Sequence, residues 1–137
     1  MKNLQIVTAV IELGAGLALM GFPSAAVVFL LGSPLDTAAA VTLGRVAGAA
    51  LLALGVACWL ARGDTQSQAA RGLIAAMVVY NFAAVALFVF AGLGLGLCGV
   101  ALWPAAVLHM MMAVWCIACL RRKPPAKTIE TSALSGK

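Results

Sequence analysis

The sequence predicts an all-α fold: a bundle of four transmembrane helices with both chain ends in the cytoplasm. Three observations predict it. Apolar residues make up 64% of the 137-residue chain and charged residues only 9%, against roughly 25% charged in a soluble domain. Those apolar residues gather into stretches long enough to cross a bilayer. The basic residues fall between the stretches, on one side only. With a mean hydropathy of +1.10, the chain has too little polar surface to coat a water-soluble globule, and lipid must cover the rest.

Lys2 and Asp36 bracket the first apolar stretch, which Glu12 alone interrupts. The first span is read as 4–21, with one long helix to residue 31 as the alternative. Gly21-Phe22-Pro23-Ser24 favours the shorter span, because proline is accepted readily only in the first turn of a new helix. A short apolar helix from Ser24 to Leu31 would then lie at the outer interface. The same N-terminus superficially fits a cleaved signal peptide, but a signal core is uncharged over roughly 7–15 residues, and Glu12 stands in mid-run.

The second span, 38–61, carries one charge, Arg45. The polar linker Arg62-Gly-Asp-Thr-Gln-Ser-Gln-Ala-Ala-Arg71 follows. From residue 72 to residue 120 there is no Asp, Glu, Lys or Arg, a run of 49 residues, where one span needs about 20. It must hold two spans, 70–91 and 100–120. The turn between them is Gly92-Leu-Gly-Leu-Gly-Leu-Cys-Gly99, since repeated glycine weakens helix more than any residue but proline. Residues 1–120 thus form one transmembrane domain. Residues 121–137, with Pro124-Pro125 and small polar side chains, read as a disordered basic tail.

Under this topology Lys2, Arg62, Arg71, Arg121, Arg122, Lys123, Lys127 and Lys137 share one side, eight of the nine basic residues; the ninth is Arg45 inside a span. The basic side is cytoplasmic, which points to a multi-pass protein of the bacterial inner membrane. The net charge of +5 therefore reports topology, and nucleic acid is excluded as a partner.

Each span carries one conspicuous polar residue: Glu12, Arg45, Asn81 and His109. At about 1.5 Å per residue, all four lie about 13–16 Å below the outer helix ends, provided that the first helix breaks at Pro23. A charge at mid-membrane costs about 2.5–3.5 kcal/mol on insertion scales and faces the bundle interior. Glu12 is expected to pair with Arg45, whose fork matches a carboxylate. Tyr80, Asn81 and His109 would satisfy the remaining donors and acceptors. This layer is either a polar clasp that fixes helix register or a ligand-binding site made of Glu12, Arg45, Tyr80, Asn81 and His109.

Small residues at Ala40, Gly44 and Gly48 let a neighbouring helix approach span two closely. On span four, Ala101, Ala105, His109 and Ala113 fall at i+4 steps, so His109 sits on a helix-facing stripe. Met110, Met111 and Met112 fill gaps or face lipid. Zinc requires three or four ligands and a bis-histidine haem two histidines, whereas the chain has one, so both groups are set aside; a quinone remains a candidate ligand. Cys116-Ile-Ala-Cys119 has thioredoxin-like spacing, but near a helix C-terminus, where the dipole disfavours a thiolate. Together with Cys58 and Cys98 these thiols are read as small buried hydrophobes. No phosphate-binding loop, H-E-x-x-H or nucleophile elbow occurs.

Gly16-Leu-Ala-Leu-Met-Gly-Phe-Pro23 and Leu43-Gly-Arg-Val-Ala-Gly-Ala-Ala-Leu-Leu-Ala-Leu-Gly55, in a four-span layout, resemble the DoxX-like family of small bacterial membrane proteins. The resemblance implies a four-helix bundle of the inner membrane, often beside a redox partner; some members are associated with quinone-linked oxidation of sulfur compounds. The sequence thus points to an accessory or ligand-binding membrane protein, not an enzyme by itself, whose buried polar site takes a quinone-like or small anionic ligand. Its partners are the lipid bilayer and either further copies of itself or a membrane redox protein. The alternatives are a small homo-oligomeric transporter and a redox-enzyme subunit with His109 as proton relay.

Overall fold

The computed structural model describes residues 1–64 and 67–121. Five α-helices follow in order: α1 (Lys2–Gly21), α2 (Pro23–Leu31), α3 (Ala38–Ala61), α4 (Gln68–Val89) and α5 (Leu102–Arg121). A π-helical turn, Phe90–Gly94, extends α4. Four of these helices, α1, α3, α4 with its extension, and α5, are long and apolar enough to cross a membrane. Over the described residues the chain is all-helical, and its four spans make it a multi-pass membrane protein. The expected tail at 122–137, and Thr65 and Gln66 of the linker, lie outside the described residues.

The first span breaks where proline demands it. Phe22 leaves the helical region (φ −134°, ψ 60°) and Pro23 opens α2, where its missing N–H has no helical partner to lose. The segment α2 touches α1, α3 and α5, so it sits over the end of the bundle opposite the basic residues. One of its orphan C-terminal carbonyls is met from elsewhere, Ala101 N–H donating to Phe29 O at 3.0 Å, while the cap residue Gly32 closes the helix on Val28 O at 2.8 Å. Gly32 needs glycine at φ 79°, and a Cβ on Gly99 would overlap the Leu30 carbonyl. The two glycines allow the end of α2 to lie against the segment leading into α5.

The starts of α3 and α4 are capped by side chains. Thr37 Oγ1 accepts from Ala40 N–H and Ser67 Oγ from Ala70 N–H, both at 3.0 Å. Pro104 falls in the first turn of α5, where it costs no helical hydrogen bond. At the basic end Arg62 donates to the Trp59 carbonyl and stacks 4.2 Å above the Trp59 ring. Arg71 Nη2 donates to Leu120 O at 3.2 Å, tying the start of α4 to the end of α5.

The glycine run expected to turn the chain at 92–99 begins as helix. Leu95 N–H reaches back to Phe90 O and Leu97 N–H to Ala91 O, so the helix widens and unwinds over two turns instead of stopping at Gly92. Gly96, at φ 69°, then takes a conformation that a side chain disfavours.

The bundle consists of two tight pairs. In α1/α3, a Cβ on Gly16 would stand 2.8 Å from Gly48 O, and one on Gly48 would stand 2.9 Å from Gly16 O. The two backbones touch, as small residues permit between membrane helices. In α4/α5 the buried residues of α4 are Ala70, Ile74, Met77, Asn81 and Ala84. Their alternating three- and four-residue steps form the seam of an antiparallel helix pair. Leu102, Ala106, Ala113 and Cys116 supply the facing seam of α5. Near the basic end the pairs meet in a core of Leu4, Ala9, Cys58, Ile74, Met77, Met112, Cys116 and Cys119. Three of the four cysteines are thus buried, while Cys98 is exposed. Met112 fills that core, and Met110 and Met111 are exposed.

Candidate functional site

The structure brings four of the five expected site residues together and leaves one outside. Glu12, on α1, is 4% exposed and Asn81, on α4, 1%. Tyr80 Oη donates to Glu12 Oε2 at 3.3 Å, a long bond for a hydroxyl donor. The His109 ring stands edge-on to Tyr80, with centroids 5.5 Å apart, and tilted against Phe88 at 5.5 Å. His109 Nδ1 and Asn81 Oδ1 lie 2.8 Å apart.

Asn81 fixes the direction of that last bond. Its Nδ2 donates to Met77 O, one turn back on its own helix, at 2.7 Å. A carbonyl can only accept, so the amide nitrogen must face it and the amide oxygen must face His109. His109 Nδ1 is therefore the donor. In the neutral ring Nε2 is then left as an acceptor.

Arg45 is the correction. It is exposed on α3, turned away from the layer, and Glu12 takes its hydrogen bond from Tyr80 instead. The cause is the packing of α1 on α3. The face of α3 that meets α1 is the glycine face, with Gly48 against Gly16 and Gly55 against Leu13, and so close an approach leaves no room for a guanidinium between the helices. Arg45 shares the depth of the layer but not its direction.

Glu12, Tyr80 and His109 line one cavity of about 210 Å³, whose other walls include Leu19, Leu30, Phe88, Ala105 and Leu108. An apolar cavity of about 310 Å³, walled by Ala15, Ala18, Leu19, Ala26, Phe29, Leu30 and Ala101, adjoins it. The two share Ala15, Leu19 and Leu30. The second one lies beneath α2, so the α1 break at Pro23 builds its roof. No lysine or arginine lines either cavity.

Three participants were not anticipated. Phe88 stands seven residues beyond Asn81, on the same face of α4, and packs on His109. Gln5 and Thr8 are each 2% exposed. Their spacing to Glu12 (i, i+3, i+7) signals a shared helix face, although neither is charged.

In comparisons with family models, curated proteins and solved structures, the chain matches none of them.

Proposed function

We propose that this chain is a protein of the bacterial inner membrane that binds a lipophilic molecule by one hydroxyl-bearing polar end, as in a quinol-like head group. The carrying observation is the convergence of Glu12, Tyr80 and His109 on a cavity with otherwise apolar walls, joined to an apolar cavity under α2. Ligand sites have this composition: apolar walls with a few convergent polar groups. The polar part offers acceptors, the Glu12 carboxyl and the free nitrogen of His109, which suit hydroxyl donors. With no cation on the walls, a neutral head fits better than the small anion the sequence suggested. A hydrocarbon tail fits the adjoining cavity, which borders the outer leaflet. The DoxX-like resemblance implies a four-helix bundle of the inner membrane, often beside a redox partner, which is in keeping with this reading.

The test is a melting curve of purified protein in detergent, with and without a short-chain alkyl hydroquinone. Stabilisation is expected for the wild type and is expected to shrink in Tyr80→Phe and vanish in His109→Phe. A wild type that gains nothing from hydroquinone or from a native lipid extract, beside a strongly destabilised His109→Phe, reduces the layer to a structural clasp.

A second reading rests on Arg45. An exposed guanidinium seven residues inside α3, about 10 Å from its outer end, must snorkel or find a partner. A further copy of the chain against this face of α3 would supply one, in keeping with a homo-oligomer. Native mass spectrometry from membranes tests it: dimers that Arg45→Ala dissociates support it, and monomers throughout refute it.

A further inference from the structure

Between the basic end of the bundle and the Glu12–Tyr80 pair runs a strip of polar side chains that the ligand cavity does not use. Gln5, Thr8 and Glu12 stand nearly in line on α1, at i, i+3 and i+7. All three are buried, at 2%, 2% and 4% exposure. Among the described residues none supplies a hydrogen-bond partner to either polar atom of Gln5, Nε2 or Oε1, though both are shut away from the surface. A primary amide carries two donors and an acceptor, and buried groups of this kind are satisfied by protein or by ordered water. Gln5 lies only three residues beyond the start of α1, about 5 Å in, while Glu12 is about 10 Å deeper and Thr8 lies between them. Those separations suit a file of two or three waters.

On its other side Glu12 meets the opposite environment. Apart from Tyr80 and His109, which join Glu12 in the polar layer, the cavity on that side has apolar walls that include Leu19, Leu30, Ala105 and Leu108, and α2 roofs it. Among the described residues of α1, the polar side chains in line with Glu12 lie toward the basic end.

We propose that Gln5 and Thr8 hold a water file that connects the Glu12 carboxyl to the cytoplasmic end, giving the buried site one-sided proton exchange. A proton enters at the water next to Gln5. Each water passes one proton forward, breaking one O–H bond as it gains another, and the last proton forms an O–H bond on a Glu12 carboxylate oxygen. The reverse sequence releases it. No electron moves and no other reactant is needed. Gln5 and Thr8 are positioning residues, since their side chains orient water and carry no net proton. The inference needs the Glu12 environment but no bound ligand.

The experiment follows hydrogen–deuterium exchange of the Glu12 carboxyl by infrared spectroscopy. It uses the full chain in lipid nanodiscs, at a pH acid enough to protonate that carboxyl. The chain has four acidic residues, so the band is assigned by its loss in Glu12→Gln. Gln5→Leu and Thr8→Val are expected to slow exchange several-fold, with melting temperatures equal to or above the wild type, because each replaces a polar group with an apolar one of similar size. Should Gln5→Leu fail to accumulate, Thr8→Val carries the test. Exchange as fast as in the wild type in every variant that folds overturns the proposal. The measurement contains no hydroquinone, so failure of the ligand reading leaves it unaffected.

Discussion

His109 Nδ1 donates to Asn81 Oδ1 across 2.8 Å, and this bond holds the histidine in one tautomer because Asn81 is itself anchored to Met77 O. The anchor costs little, since an asparagine reaching back one turn uses a carbonyl that already lies alongside. It converts a rotatable amide into a fixed acceptor between α4 and α5.

Asn81→Leu strands the His109 Nδ1 donor in an apolar seam, and a loss of about 1–3 kcal/mol is expected. Asn81→Leu combined with His109→Phe is expected to recover most of that loss, because replacing both partners leaves nothing unpaired. Melting curves of the two single variants and the double variant check it. Additive losses would mean that the two residues do not share one bond.

Glu12 and Arg45 act independently in this structure. The effects of Glu12→Gln and Arg45→Ala on stability are therefore expected to add within about 0.5 kcal/mol. A buried ion pair would instead make each single variant worse than the double, by leaving one bare charge. Thermal denaturation of all four combinations distinguishes the cases.

Close packing of α1 on α3 predicts a contrast among glycines. Gly48→Ala places a Cβ 2.9 Å from the backbone of α1, which the helices can relieve only by separating, at a cost of about 1–3 kcal/mol. Gly14 lies on the same helix as Gly16, yet a Cβ there meets nothing within 4 Å. Gly14→Ala is expected to be neutral or stabilising by at most about 1 kcal/mol. Equal damage from both substitutions, measured as loss of folded protein on heating, would show that glycine serves the helices separately and not their contact.

Part of the candidate site was legible because polar residues stand out against a background that is 64% apolar. Glu12, Asn81 and His109 were visible on that ground, and their common depth followed from helical rise and the Pro23 break. Gln5 and Thr8 were overlooked because a glutamine and a threonine near a helix start pass for interfacial residues. Arg45 was misassigned because depth says nothing about direction. Phe88 could have been found from its seven-residue spacing to Asn81, but one phenylalanine among many apolar residues gives no signal.

The sequence by itself determined the four spans and which ends of the helices carry the basic residues, and it favoured a break at Pro23 over one long helix. These depend on transfer costs that each residue contributes locally, whichever neighbours it later acquires. The tertiary structure alone decided which face of each helix turns inward. In a water-soluble helix a polar face announces the outside; here lipid and protein interior are equally apolar, so the pattern along α3 does not say whether Arg45 or Gly48 faces a neighbour. That choice falls to packing, and packing favoured the contact of two glycine-lined backbones, Gly16 on Gly48. This contact sends Arg45 outward, leaves Glu12 to Tyr80 and aligns Gln5 and Thr8 beneath it.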